Sequence, residues 1–228
     1  VNAVVPIAVA GHVVPDPLAT FVGYCQSHRK TLQHYDGLAG TSRSLTPQLI
    51  KATRWPWMNS RISRKQEERL LQLSDSAPWQ DVPIDARLHD ADPVEPDGLY
   101  ARMLRLYEHF FQQRPEGLGH AKVSKCLHLM RPALFVILDS KLLRLYRAAA
   151  MQAADELRSA GSPHAPKRRA FWAAYRLDVL RAGEGLAALR AAARQHFDPD
   201  VVEAANRLTD VRILDILAWS HDAFPGDV

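Results

Sequence analysis

With 228 residues, 47% of them apolar and 24% charged, the chain has the composition of a folded domain with a substantial core. A net charge of +4 and a pI of about 9.2 suit a polyanionic partner without requiring one. Two cysteines, Cys25 and Cys126, are too few for a disulfide framework, a four-thiolate iron–sulfur cluster or a closed thiolate zinc site, and no apolar run reaches the ~18–20 residues of a membrane span.

Taken in chain order, the opening Val1-Asn2-Ala3-Val4-Val5-Pro6-Ile7-Ala8-Val9-Ala10 is apolar but lacks the basic start of a secretory signal, so a cytoplasmic protein is expected. Gly37 to Thr46 has loop composition. Arg54-Trp55-Pro56-Trp57-Met58-Asn59-Ser60-Arg61 packs two tryptophans, an amide and two arginines into a loop. Ser63-Arg64-Lys65-Gln66 is a capping box that predicts a helix to about Leu73, and the Pro- and Asp-rich Ser76 to Gly98 is a second loop. Leu99, Tyr100, Met103, Leu104, Tyr107, Phe110 and Phe111 recur at helical spacing.

After them come Gly117-Leu118-Gly119, then a helix with Val123, Cys126, Leu127 and Met130 on its apolar side. Leu134 to Leu138 is a short apolar run between Pro132 and Asp139, with no strand partner in view, and predicts an extended connector inside the core. Asp139 stands where a helix N-cap belongs, ahead of a helix from Leu142 past Leu157 to a stop at Gly161. Gly161 to Pro166 is a loop. Further helices are predicted at Phe171–Leu180, Leu186–Ala193 and Val211–Trp219.

Charge is unevenly spread. Lys51 to Arg69 carries six basic and two acidic residues, Asp75 to Asp97 seven acidic against Arg87 alone, and Lys141 to Arg194 eleven basic against four acidic. Such faces fit a nucleic-acid surface, and equally solvated helices with arginine lying over apolar patches. Lys167-Arg168-Arg169 is the one compact basic cluster.

The stretch Leu99 to Tyr146 carries the functional signal. Two helices joined through Gly-Leu-Gly form a helix-hairpin-helix outline: glycine lets a phosphate backbone approach, and the bare amides and dipole of the second helix favour an anion. Gly117, Gly119, His120 and Lys122 are the candidate DNA-binding residues. A tight turn between packed helices would look the same, and Asp139 would serve as an ordinary cap in either case.

With Asp139 ending the connector, this stretch resembles the endonuclease III-like helix-hairpin-helix DNA glycosylases. Gly117 and Gly119 match the hairpin glycines, Cys126 and Leu127 the apolar pair of the second helix, and Asp139 the family's catalytic aspartate. The resemblance implies an all-α, two-lobed fold with duplex DNA in the cleft. Bifunctional members carry a Schiff-base lysine two residues after the second hairpin glycine; Ala121 stands there, which implies a monofunctional enzyme that uses water and leaves an abasic site. Lys125 and His128 lie four and seven residues beyond Ala121, on what the helical pattern makes a polar face, so Lys125 is a second catalytic candidate. The absence of a cysteine quartet removes the iron–sulfur branch.

The chemistry explains the residues. Cleaving an N-glycosidic bond builds positive charge on the sugar; a carboxylate stabilises it and orients the attacking water, and a helix N-terminus favours the ionised form. The base must also leave the duplex. Trp55, Trp57, Asn59, Arg61 and His128 are the candidate wedge or pocket, although either tryptophan would also serve as a structural anchor.

The expectation is thus a single domain over residues 1–228, with an N-terminal lobe of about 1–98 and a hairpin and catalytic lobe of about 99–228. It would act as a monomer on double-stranded DNA, with no cofactor, no metal and no membrane association. The ten histidines show no metal-ligand spacing. The substrate base is open: a hypermodified, glucosylated hydroxymethyl cytosine of phage DNA in antiviral defence, or an oxidised or alkylated base in repair. A non-catalytic DNA-binding module and an N-glycosidase for free nucleosides are the competing readings.

Overall fold

The computed structural model describes residues 5–165 and 167–220, with the backbone alone at 167–169. Its first element is one the alternation of the sequence is too short to announce. Strands β1 (Ile7–Val9) and β2 (His12–Val14) pair antiparallel, Ile7 opposite Val14 and Val9 opposite His12. Ala10 (φ 51°) and Gly11 (φ 83°) between them are both left-handed, as the two-residue turn that matches strand twist requires.

All other regular structure among the described residues is helical. Helices α1 (Pro17–Ser27), α2 (Arg29–His34) and α3 (Pro47–Ala52) precede α4 (Arg64–Asp75), which starts in the expected Ser63/Gln66 capping box. Then follow α5 (Leu99–Gln112), α6 (His120–Met130), α7 (Ser140–Leu145), α8 (Arg147–Ser159), α9 (Lys167–Arg181), α10 (Gly183–Ala193), α11 (Pro199–Arg207) and α12 (Asp210–Ser220). The helix expected from Leu142 to Gly161 is two, broken at Tyr146. Gly161 stops α8 in the left-handed conformation (φ 68°).

Helices α1, α3 and α11 are additions to the sequence reading, and they begin alike. Asp16, Thr46 and Asp198 each accept a hydrogen bond from a first-turn amide, and each is followed by proline at the first helical position. The cap-proline pair marks each of these starts by itself.

Two helices are buried on all sides. Every residue of α6 from Val123 to Met130, and of α12 from Val211 to Ala218, is inside. The connector from Leu134 to Leu138 runs beside them, at most 4% exposed. It leaves a turn at Leu134 and joins no sheet, so α6 satisfies its polar groups: Leu138 N–H donates to Ser124 Oγ (2.9 Å), and Phe135 O accepts from His128 Nδ1 (2.7 Å).

The packing does not follow a division at residue 98. Helix α1 lies against α10, α11 and α12, while α4 packs on α5 and α5 on α6.

His128 illustrates the cost of that burial. Because the Phe135 carbonyl can only accept, Nδ1 carries the proton and Nε2 is left buried without a partner. Desolvation, helped by the Arg212 charge and opposed by the Phe135 carbonyl, pushes its pKa from 6.5 down to about 4. Between those values the unfolded chain binds a proton that the native chain does not, so stability falls as pH falls from 6.5 to 4, by about 3 kcal/mol from this group. Urea titrations at pH 7.5 and pH 4 are expected to show His128→Gln losing about 3 kcal/mol less than the wild type on acidification. Equal acid losses in the two proteins would show that His128 does not fold neutral.

Candidate functional site

The loop between α5 and α6 takes its shape from Gly117, whose φ of +74° a side chain would strain. The loop is pinned to α4: Gln66 Nε2 donates to Glu116 O (2.9 Å), and Lys122 Nζ donates to Gly117 O (2.8 Å) and to Gln66 Oε1 (3.3 Å). Half-buried Lys122 therefore helps to close the loop, its ammonium group bonded to the Gly117 carbonyl and to Gln66. Gly119 is different. Its backbone is extended, it caps α6 without a side chain, and a Cβ there would meet nothing within 4 Å. No backbone strain demands glycine at 119; its effect is to leave the first turn of α6 uncovered.

Three side chains of α6 depart from their expected places. His120 turns inward, its Nδ1 2.6 Å from the Tyr107 hydroxyl and its ring stacked on Phe111 at 4.0 Å. Lys125 and His128 are not on a polar face, since both are buried. Lys125 Nζ donates to Met58 O (2.6 Å) and Ser60 Oγ (3.3 Å), which anchors the tryptophan loop to α6. Burial lowers its proton affinity, and the charges of Asp139 and Asp215 partly restore it. His128 stacks beside Tyr35 and lines no base pocket.

The two tryptophans divide the roles that sequence left open. Trp57 is the anchor: its carbonyl accepts from Thr31 Oγ1 (2.8 Å), and its ring lies 4.9 Å from His34. Trp55 is 74% exposed and projects from the loop, with Asn59 and Arg61 also exposed. Arg54 ties the loop to α4 through Glu67 at 2.6 Å. Lys167-Arg168-Arg169 opens α9, but the three side chains lie outside the described residues.

Asp139 is the N-cap of α7, half-buried at the end of the connector, with Oδ1 accepting from Leu142 N–H (2.8 Å). Behind it lies buried charge. Burial drives the Asp215 carboxyl up to about 7 against the pull of Arg212, and the negative charge of Asp139 pushes the same way. Arg212 is itself buried and donates to both Asp36 oxygens (2.8 and 3.2 Å), to the Tyr24 hydroxyl (2.9 Å) and to Asp215.

Helix α12 also packs against α7, which Asp139 caps, and the contact gathers residues that sequence reasoning missed. Lys141, two positions after Asp139, donates to the carbonyl of Trp219 and lies 5.1 Å from its ring centre. Trp219 is one helical turn beyond Asp215, 39% exposed, and stands edge-on to His28 at 5.5 Å. His28 stacks on Tyr24 at 4.4 Å, and its Nδ1 is buried without a partner. No spacing rule links residues 24, 28, 141 and 219. The available signal was a tryptophan followed by polar residues at the end of an otherwise apolar helix.

Asp139 is thus a partly exposed carboxylate whose charge is felt by buried Lys125 and Asp215, at the head of the helix whose Lys141 is tied to Trp219. Among the described residues no group of three or more His, Cys, Asp or Glu is placed to hold a metal ion, and no helix is long and apolar enough to cross a membrane.

Compared with curated proteins and with solved structures, the chain matches none. A family model described as a family of unknown function (DUF6308) matches residues 24–222, a span that takes in every site residue described above, and the chain belongs to that family.

Proposed function

We propose that this protein is a monofunctional DNA N-glycosylase of helix-hairpin-helix type, acting as a cytoplasmic monomer on duplex DNA. The observation that carries the reading is Asp139: a half-buried carboxylate at a helix start, coupled by charge to buried Lys125 and Asp215, on the helix whose Lys141 holds Trp219. Its carboxylate would face the sugar as positive charge develops there, and would orient the water that attacks the anomeric carbon. The rings of Trp219 and His28 would receive the extruded base, and Trp55 would fill the gap the base leaves in the stack.

The phosphate backbone would lie along the uncovered first turn of α6 and past the exposed Arg61 and Arg64. Ala121 at the Schiff-base position, and the engagement of Lys125 with Met58 and Ser60, favour hydrolysis over strand cleavage. Lys125 is a positioning residue in this scheme. It holds the tryptophan loop and adds positive charge behind Asp139. Among substrates, a glucosylated hydroxymethyl cytosine of phage DNA is favoured over oxidised or alkylated bases, since Lys141 and His28 offer polar groups to a bulky substituent.

The test is incubation with duplexes that carry glucosylated hydroxymethyl cytosine, oxidised purines or alkylated bases, with mass spectrometry of the released base. The expected result is a free base and strand breaks only after alkali. Breaks without alkali would transfer the chemistry to an amine. Tight, strongly salt-dependent binding with no base released from any duplex would establish the rival reading, a non-catalytic DNA-binding module in which Asp139 only caps α7, a bond it does make.

A further inference from the structure

A cavity of about 210 Å³ lies between α8 and α9, beside the Ala10-Gly11 turn of the β1–β2 hairpin. Its lining on α8 includes positions 149, 152, 153 and 156, and on α9 positions 174, 177, 178 and 181. That spacing puts each set on one helix face, so the space is a groove along two helices that pack against each other. Ala149, Ala153 and Ala174 leave it open because they are small, and Leu177 adds apolar surface. None of the lining residues belongs to α6, α7 or α12, and on α9 the lining begins more than one turn past the basic cluster at 167–169. At the ~30 Å³ that a water occupies, the groove has room for about seven non-hydrogen atoms.

One charge lies at depth. Asp178 is 5% exposed, and its Oδ2 accepts from Ala10 N–H (2.6 Å). The one cation among the lining residues, Arg181, approaches Oδ1 only to 3.9 Å, and its side chain is 68% exposed, so water screens it. Burial raises the proton affinity of Asp178, against the Ala10 amide, the Tyr146 hydroxyl and the Arg181 charge. A buried carboxylate with so little opposing charge favours a cation brought close beside it. At the exposed rim Glu156 adds a second negative charge and accepts from Gln152 Nε2 (3.0 Å). The alanine side chains offer no oxygen toward the six to eight ligands that a hard metal ion such as calcium takes, whereas they suit a row of methylenes.

We propose that this groove binds a small aliphatic primary amine in its ammonium form, with the charged nitrogen on Asp178 and an unbranched chain along the alanine walls. The site does not rest on the glycosylase reading, since Asp139 and the tryptophan loop contribute nothing to its lining and its test involves no DNA.

Hexylammonium chloride is the probe, with seven non-hydrogen atoms in its cation. Titration of the full chain, followed by amide NMR, is expected to shift the Ala10 N–H signal saturably, since that amide is bonded to Asp178. Affinity should be at least about tenfold weaker for 1-hexanol, which has the shape without the charge, and for hexanoate, which reverses it. Asp178→Asn keeps an oxygen for the Ala10 amide and is expected to weaken hexylammonium at least about tenfold. Ala149→Leu, at a half-buried wall position, fills the groove with Asp178 left in place and is expected to weaken it by about as much. The proposal is overturned by absence of saturable hexylammonium binding, by hexanol binding as tightly, by calcium displacing the amine, or by undiminished affinity in either variant when folded.

Discussion

Asp139→Asn is expected to lower the single-turnover rate of base release by about 10²–10⁴-fold while leaving the thermal midpoint of the protein nearly unchanged. The two halves follow from different atoms of one side chain. Oδ1 caps α7 by accepting from Leu142 N–H, and the amide oxygen of asparagine accepts the same bond with about equal stability. The negative charge that the proposed chemistry requires is lost outright. Asp139→Ala removes both, and is expected to add about 1 kcal/mol of destabilisation to the same kinetic loss. Removing the charge also relieves Asp215, whose proton affinity Asp139 raises. Base release at the wild-type rate by a folded Asp139→Asn variant would sink the catalytic assignment and leave the cap as the residue's whole role.

Arg212→Met is expected to cost about 3–5 kcal/mol, a large part of the ~5–15 kcal/mol that holds a domain together. Asp36 and Asp215 are 2% and 4% exposed, and Arg212 is the cation that donates to both. Methionine fills much of the space but strands two carboxylates in the interior. With the arginine gone, both would bind protons more readily in the folded chain than in the unfolded one. Protonation then favours the native state, so the deficit of the variant relative to wild type should shrink as pH falls from 7 to 5. Adding Asp36→Asn and Asp215→Asn to Arg212→Met should recover part of the loss at pH 7, since the stranded charge is the main penalty. Urea unfolding across this range checks each step, and a loss below about 1 kcal/mol for Arg212→Met would show that the cluster is hydrated in solution.

The same cluster shows why part of the site was hidden from sequence. A buried arginine contacting residues 24, 36 and 215 leaves no local mark, because Tyr24 and Asp36 lie far from it in sequence and the helix around it is buried on every face. By contrast, Ser63 and Gln66 show in four residues which amides they satisfy, and the Leu99–Phe111 stripe shows its buried face by spacing alone. The Lys125 and His128 placement failed for the reason Arg212 was missed. A helix with one apolar stripe presents polar residues to water, but α6 is enclosed all round, so its polar residues point at backbone carbonyls.

What the chain determined by itself was therefore local: helix starts and stops set by caps, prolines and a left-handed glycine, an extended connector that must be buried, and Asp139 at the head of a helix. These depend on interactions within a few residues, and they survive any arrangement of the elements. Tertiary structure alone decided which polar side chains face inward, that α1 lies against α10, α11 and α12, and that Lys141, Trp219 and His28 come together. The physical reason is desolvation. Whether a lysine or histidine is a surface group or a buried tether depends on how many other elements cover it, a quantity that belongs to the packed molecule and to no single segment of the sequence.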